Sequence, residues 1–201
     1  MLSIYLIFFL IVIYIIQLVV PGFTEVFIFD PNLMASQPWR LITSVFLHSP
    51  TDVTHILFNC YALFLFGSIL ESRVTKNEYW VLFFGAGLVG SLLFYAVILL
   101  GLAPPALALG ASGAIFGLIG AVAAMMPNMR IFVMFIPMTM RTAALFWVAI
   151  SIIGTLDTTS TIGHMAHLGG LVFGWAYGKH LINNKITPVE VPISEKDGTF
   201  T

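Results

Sequence analysis

"LGASGAIFGLIG", residues Leu109 to Gly120, surrounds one hydroxyl, that of Ser112, with glycines, alanines and large apolar side chains. Gly113, Gly117 and Ala121 recur every fourth position, the spacing that lets two helix backbones approach closely in lipid. The rest of the chain supports lipid as the solvent. Of its 201 residues, 59% are hydrophobic and 8% charged, against about a quarter charged in a soluble domain. Only helices and closed barrels span a bilayer, and the apolar runs lack the alternation of barrel strands. The expected fold is an all-α membrane protein, a bundle of six transmembrane helices.

The six spans run from Met1 to Val20, about Thr54 to Leu70, Tyr79 to Gly101, Ser112 to Pro127, Thr142 to Leu156 and Ile162 to Ile182. The first has no basic flank and no small-residue cleavage site, and its length suits a span better than a secretory signal. Residues 1–183 form the expected membrane domain, and the polar, proline-containing residues 184–201 read as a disordered cytoplasmic tail. With six spans both termini share a side with Arg73, Lys76, Arg130, Arg141, Lys179, Lys185 and Lys196. Arg40 alone among the basic residues lies opposite, with Glu25, Asp30, Asp52 and Asp157. The positive-inside rule therefore places both termini in the cytoplasm, most simply beneath a cell membrane. The long semi-apolar first outer loop, about Pro21 to Val53, suits the membrane interface through Trp39 and its phenylalanines. A net charge of −1 without a basic block argues against a nucleic-acid partner. Cys60, the single cysteine, reads as a small buried hydrophobe.

Few polar groups inside the spans can do chemistry: His55 and Asn59 in the second, Ser112 in the fourth, His164 and His167 in the sixth. One isolated intramembrane serine ordinarily bonds its own helix backbone. Five such groups on three helices, at one depth, are functional candidates. A helix from Ser112 to Met126 covers only about 22 Å of a core about 30 Å thick, so Ser112 lies below the outer surface. It also falls in the first helical turn, where unpaired N–H groups and the macrodipole favour an oxyanion. His55 and Asn59, at i and i+4, project from one face.

The sixth span carries its own stripe, Gly170, Gly174 and Gly178, which should face the stripe of the fourth. At about 100° per residue, His167 projects within about 20° of Gly174 and His164 about 80° away. His167 is therefore the base for Ser112. The rival is a nitrogen-ligated metal site built from His48, His55, His164 and His167. No carboxylate or cysteine is obviously placed to complete that ligand set, and the HExxH pattern does not occur. No metal and no cofactor are expected.

These motifs resemble the rhomboid family of intramembrane serine proteases over nearly the whole chain. "GASG" (Gly110 to Gly113) is similar to the family's GxSG motif, "HILFN" (His55 to Asn59) to its HxxxN motif, and "AHLGG" (Ala166 to Gly170) to its catalytic-histidine motif. "PWR" and "FLH" before the second span fit too. The resemblance implies a Ser112–His167 dyad, an oxyanion hole of His55, Asn59 and the Ser112 N–H, and membrane-protein substrates entering laterally past the fifth helix. Gly110, Gly113, Phe116, Gly170 and Gly174 would pack the site. Phe116 stands where the family often has Tyr, which removes a phenolic hydrogen bond. The segment Thr155 to Ser160 would cap the site, and Asp157 reads as a solvated loop acid. The alternative is a catalytically silent relative that binds membrane helices. A small transporter ranks last, because no inverted repeat is evident and intramembrane charge is scarce.

Overall fold

The computed structural model describes residues 1–133, 135–155 and 163–185. The chain opens on helix α1 (Leu2–Val19), which buries Ser3, Leu6, Leu10 and Gln17 along one stripe and exposes Tyr5, Phe8 and Ile15 on the others. A helix with apolar side chains on every face belongs in an apolar surrounding. Its two polar buried residues are anchors. The Ser3 hydroxyl meets Tyr79 Oη at 2.9 Å and donates to Glu71, which also accepts the Leu2 and Ser3 N–H groups at 2.7 Å. At the other end Gln17 exchanges two 2.9 Å hydrogen bonds with the His48 backbone.

The first loop is not shapeless. It contains the short helices α2 (Phe23–Phe27) and α3 (Arg40–Thr43), followed by a 3-10 turn at Ser44–Phe46. Arg40, read in the sequence as an outer-side charge and as part of the PWR motif, is buried and ties the loop together. It donates to the Glu25 and Ile28 carbonyls at 2.8 and 2.7 Å and to Gln37 Oε1 at 2.6 Å.

Helix α4 (Val53–Ala62) starts at Asp52, whose carboxylate accepts the Thr54 N–H at 3.0 Å. A π-helical turn at Leu63–Gly67 then joins it to α5 (Ser68–Glu71). The turn brings Gly67 against Ser3 and Tyr79, with no room for a Cβ. Helix α6 (Lys76–Leu99) begins with a Thr75–Glu78 capping box. Helix α7 (Ser112–Met125) is buried on nearly every side and forms the centre of the bundle. Helices α8 (Met140–Thr155) and α9 (His164–Lys185) complete it. Helix α9 packs along α7, with α6 against both, and α8 leans on α9 and α7.

Each apolar run of the sequence corresponds to helix in the described residues, with ends shifted by only a few positions. Three stretches, Leu2–Val19, Val53–Glu71 and Lys76–Leu99, are long and apolar enough to cross a membrane; α7 and α8 are shorter apolar helices. Two results differ from the sequence reading. The stretch after α7, expected as a loop, forms an antiparallel hairpin of β1 (Arg130–Val133) and β2 (Ile136–Thr139), with Arg130 opposite Thr139 and Phe132 opposite Pro137. The sequence Ile131-Phe132-Val133 is β-branched and aromatic, which suits a strand once Pro127 has ended α7. Helix α9 also continues to Lys185, past the expected domain boundary at residue 183. Most of the expected tail, residues 186–201, and the cap with Asp157 lie outside the described residues.

Candidate active site

Small residues position the site. A Cβ on Gly170 would overlap the Gly113 carbonyl oxygen, and one on Gly174 would overlap that of Gly117. A Cβ on Gly178 would come within 3.0 Å of Ala121 Cα. The two stripes therefore face each other residue by residue, and α7 and α9 touch through their backbones. Gly90 of α6 admits the Ala166 carbonyl, where a Cβ would lie 2.5 Å away. Helix α9 is thus wedged between α6 and α7, and its first turns are held over the start of α7.

Ser112 is the first residue of α7, after Ala111. Its own N–H and those of the next residues have no carbonyl one turn earlier to accept them. His167 Nε2 lies 2.7 Å from Ser112 Oγ, within hydrogen-bond reach. Phe116, one turn on from Ser112, stacks on the His167 imidazole with centroids 4.5 Å apart and planes 8° from parallel. Trp147 of α8 meets Phe116 edge-on at 5.9 Å. The histidine is thereby fixed from one side by α7 and, through Phe116, by α8.

His164 takes a different direction. Its ring occupies the space a Cβ on Gly154 of α8 would need, and it stands edge-on to His167 at 6.2 Å. Of the two histidines, the one nearer the axis of the glycine stripe meets the serine.

The opposite wall comes from α4 and the loops. Gly110 has φ +130°, which side chains rarely adopt, and a Cβ there would lie 2.7 Å from His55 Nε2. His55 and Ser112 therefore flank a bare backbone segment. Its N–H donates to the Ser44 carbonyl at 3.0 Å, and Ala108 pairs with Phe29 in both directions at 3.0 and 3.2 Å. Asn59 is buried one turn below His55 and donates to the His55 carbonyl at 3.1 Å. Sequence reasoning missed Ser44 and Trp147, and it gave Arg40 no part in holding the loop. The signals were weak: a serine in a loop, a lone arginine and one aromatic in an apolar span.

His48 is fully buried behind His55, edge-on to it at 5.1 Å. Neither ring nitrogen has a hydrogen-bond partner among the described residues. Burial, with the neighbouring His55 as the lesser cause, pulls its pKa from the usual 6.5 down to about 3. At the exposed N-cap, the hydrogen bond from the Thr54 hydroxyl holds the Asp52 carboxyl below its usual range.

Ser112, His167, His55, Asn59, Phe116 and Trp147 all line one open groove of about 1270 Å³. A sequence model of the rhomboid domain matches residues 35–184. The chain belongs to the rhomboid family. It is 40% identical to the protein YdcA of Bacillus subtilis over 82 residues, 41% of this chain and 38% of that one. It is 30% identical over 159 residues to the rhomboid protease GluP of Bacillus subtilis, covering 72% of this chain and 29% of GluP. It is 32% identical over 152 residues to the mitochondrial presenilin-associated rhomboid-like protein of Bos taurus, covering 71% and 38%. The matched region thus spans well under half the length of each of these relatives. As a rhomboid, the chain is a membrane protein whose apolar helices contact lipid.

Proposed function

We propose that this rhomboid is an intramembrane serine endopeptidase that hydrolyses peptide bonds in or near the transmembrane segments of other membrane proteins. The observation that carries the reading is the 2.7 Å contact of Ser112 Oγ with His167 Nε2 at the start of α7. Ser112 Oγ attacks the scissile carbonyl carbon while His167 Nε2 takes its proton. The oxyanion forms against the Ser112 N–H, His55 and Asn59. The C–N bond then breaks, and His167 returns the proton to the leaving nitrogen. Water, activated by the same imidazole, hydrolyses the acyl-enzyme. Phe116 orients the imidazole in place of a carboxylate.

In this reading six spans cross the membrane, both termini are cytoplasmic and the groove opens toward the outer face. The first loop, laced by Arg40, rests at the interface and braces Gly110. The substrate helix enters between α4 and α8. A silent binder of membrane helices has no need of a serine and a histidine in hydrogen-bond contact, which favours the protease. The test is cleavage of a single-span reporter by purified protein in liposomes. Ser112→Ala and His167→Ala should each abolish cleavage, His164→Ala should not, and chelators should have no effect. Unchanged cleavage by Ser112→Ala sinks the reading.

A further inference from the structure

The groove that holds Ser112 and His167 does not end beneath them. It continues down α4 and the π-helical turn past Tyr61, Leu65 and Ile69, and its far end is walled by Arg130, Ile131, Phe132 and Val133, both faces of β1. Residues alternate along a strand, so Arg130 and Phe132 share one face of β1, with the cross-strand residues Thr139 and Pro137 beside them. That face is exposed: Phe132 keeps 77% of its surface. The other face is anchored, since Ile131 packs on the core. Arg130 makes no ion pair among the described residues.

We infer that the Arg130–Phe132 face of the hairpin is a specificity surface that reads the inner juxtamembrane end of the substrate helix and favours an acidic residue there. The inference rests on the protease reading and extends it to a second point of contact. Continuity of the groove is the first argument. Length is the second. Helix α7 spans its 14 residues between the nucleophile and the turn into the hairpin, about 20 Å along its axis. A substrate helix cut beside Ser112 and lying in the groove therefore brings the residue about 13 positions beyond the scissile bond level with the end of α7, and the turn after it, to about position 17, beside β1. Charge is the third. Inner flanks of membrane helices are ordinarily rich in Lys and Arg. Arg130 repels those flanks and attracts Asp or Glu, while Phe132 packs on the last apolar turn. The hairpin thus filters out most single-span proteins by charge at the end of the helix away from the cut.

The test compares two reporters that differ only in the inner flank, Glu-Glu or Lys-Lys, placed about 16 residues beyond the cleavage site. Each enzyme is scored by the ratio of kcat/KM on the two, which cancels differences in folded fraction between variants. Wild type should prefer the acidic flank by about 3- to 5-fold, the range of a partly exposed ion pair. Arg130→Lys should keep the preference and Arg130→Glu should reverse it. Moving the charged pair six residues farther out should abolish it. An equal ratio in wild type and Arg130→Glu overturns the inference. So does a preference that exists in anionic liposomes and vanishes in zwitterionic ones, which would make the hairpin a lipid-headgroup contact instead. If wild type cleaves neither reporter and Ser112 resists a fluorophosphonate probe, the protease reading itself has failed.

Discussion

Gly174 offers a quantitative test of how the site is assembled. A Cβ built on it would overlap the Gly117 carbonyl oxygen and lie 2.5 Å from Gly117 C and 2.7 Å from its Cα. Ordinary carbon contacts run at about 3.5–4.0 Å, so Gly174→Ala forces α9 about 1 Å away from α7. His167 lies seven residues earlier on the same helix, about two turns away, and a rigid helix transmits most of that shift. The 2.7 Å Ser112–His167 contact then stretches past about 3.5 Å, where a hydrogen bond is lost. A displacement of about 1 Å at reacting groups costs about 100-fold in rate. The assay is second-order labelling of Ser112 by a fluorophosphonate, with elution volume and thermal midpoint showing that the variant still folds. Val172→Ala, on an exposed part of the same helix, is the control and should label normally. Labelling of folded Gly174→Ala within about 3-fold of wild type refutes the argument that backbone contact between α7 and α9 sets the dyad.

Three further outcomes are expected. Gly110→Ala must leave φ +130° and displace His55, so reporter cleavage should fall by about 100-fold or more, the scale of losing an oxyanion donor; near-normal turnover would show that His55 does not serve the oxyanion. Phe116→Ala removes the ring stacked on His167, worth about 0.5–1.5 kcal/mol, so kcat should drop about 3- to 10-fold with KM little changed, while Phe116→Tyr should stay active; an unaffected kcat in Phe116→Ala would deny the ring its orienting role. Buried His48 is neutral when folded and titrates near 6.5 when unfolded. Its stabilising effect is therefore complete above about pH 6.5 and is lost as pH falls toward about 3. In detergent, thermal midpoints of wild type should fall more between pH 7 and pH 4.5 than those of His48→Phe, and equal slopes would contradict that.

Much of this was legible in the sequence because lipid leaves few options. A backbone in hydrocarbon must be helical or close into a barrel, and runs without strand alternation leave helices. Apolar run lengths therefore marked α1, the stretch from α4 to α5, and α6 to α9 to within a few residues, while α2 and α3 in the first loop went unread. Gly170 and Gly174 announced the contact with Gly113 and Gly117, since only small residues at every fourth position allow it. Angular position along the same helix then distinguished His167 from His164. What escaped the reading depends on contacts between distant segments. The buried role of Arg40 rests on carbonyls 12 and 15 residues away, and a lone arginine in a loop reads as a surface charge. The link from Gly110 to Ser44 is a backbone bond, which side-chain identity does not encode. The β1–β2 hairpin is too short for its alternation to stand out against apolar neighbours.

The central claim is that Ser112 is a nucleophile activated by His167. The most direct measurement is mass spectrometry of the full chain after fluorophosphonate treatment in liposomes. One covalent adduct on Ser112, absent in His167→Ala and retained in His164→Ala, is the predicted result. An adduct on another residue, or labelling of Ser112 that persists unchanged in His167→Ala, would contradict the account.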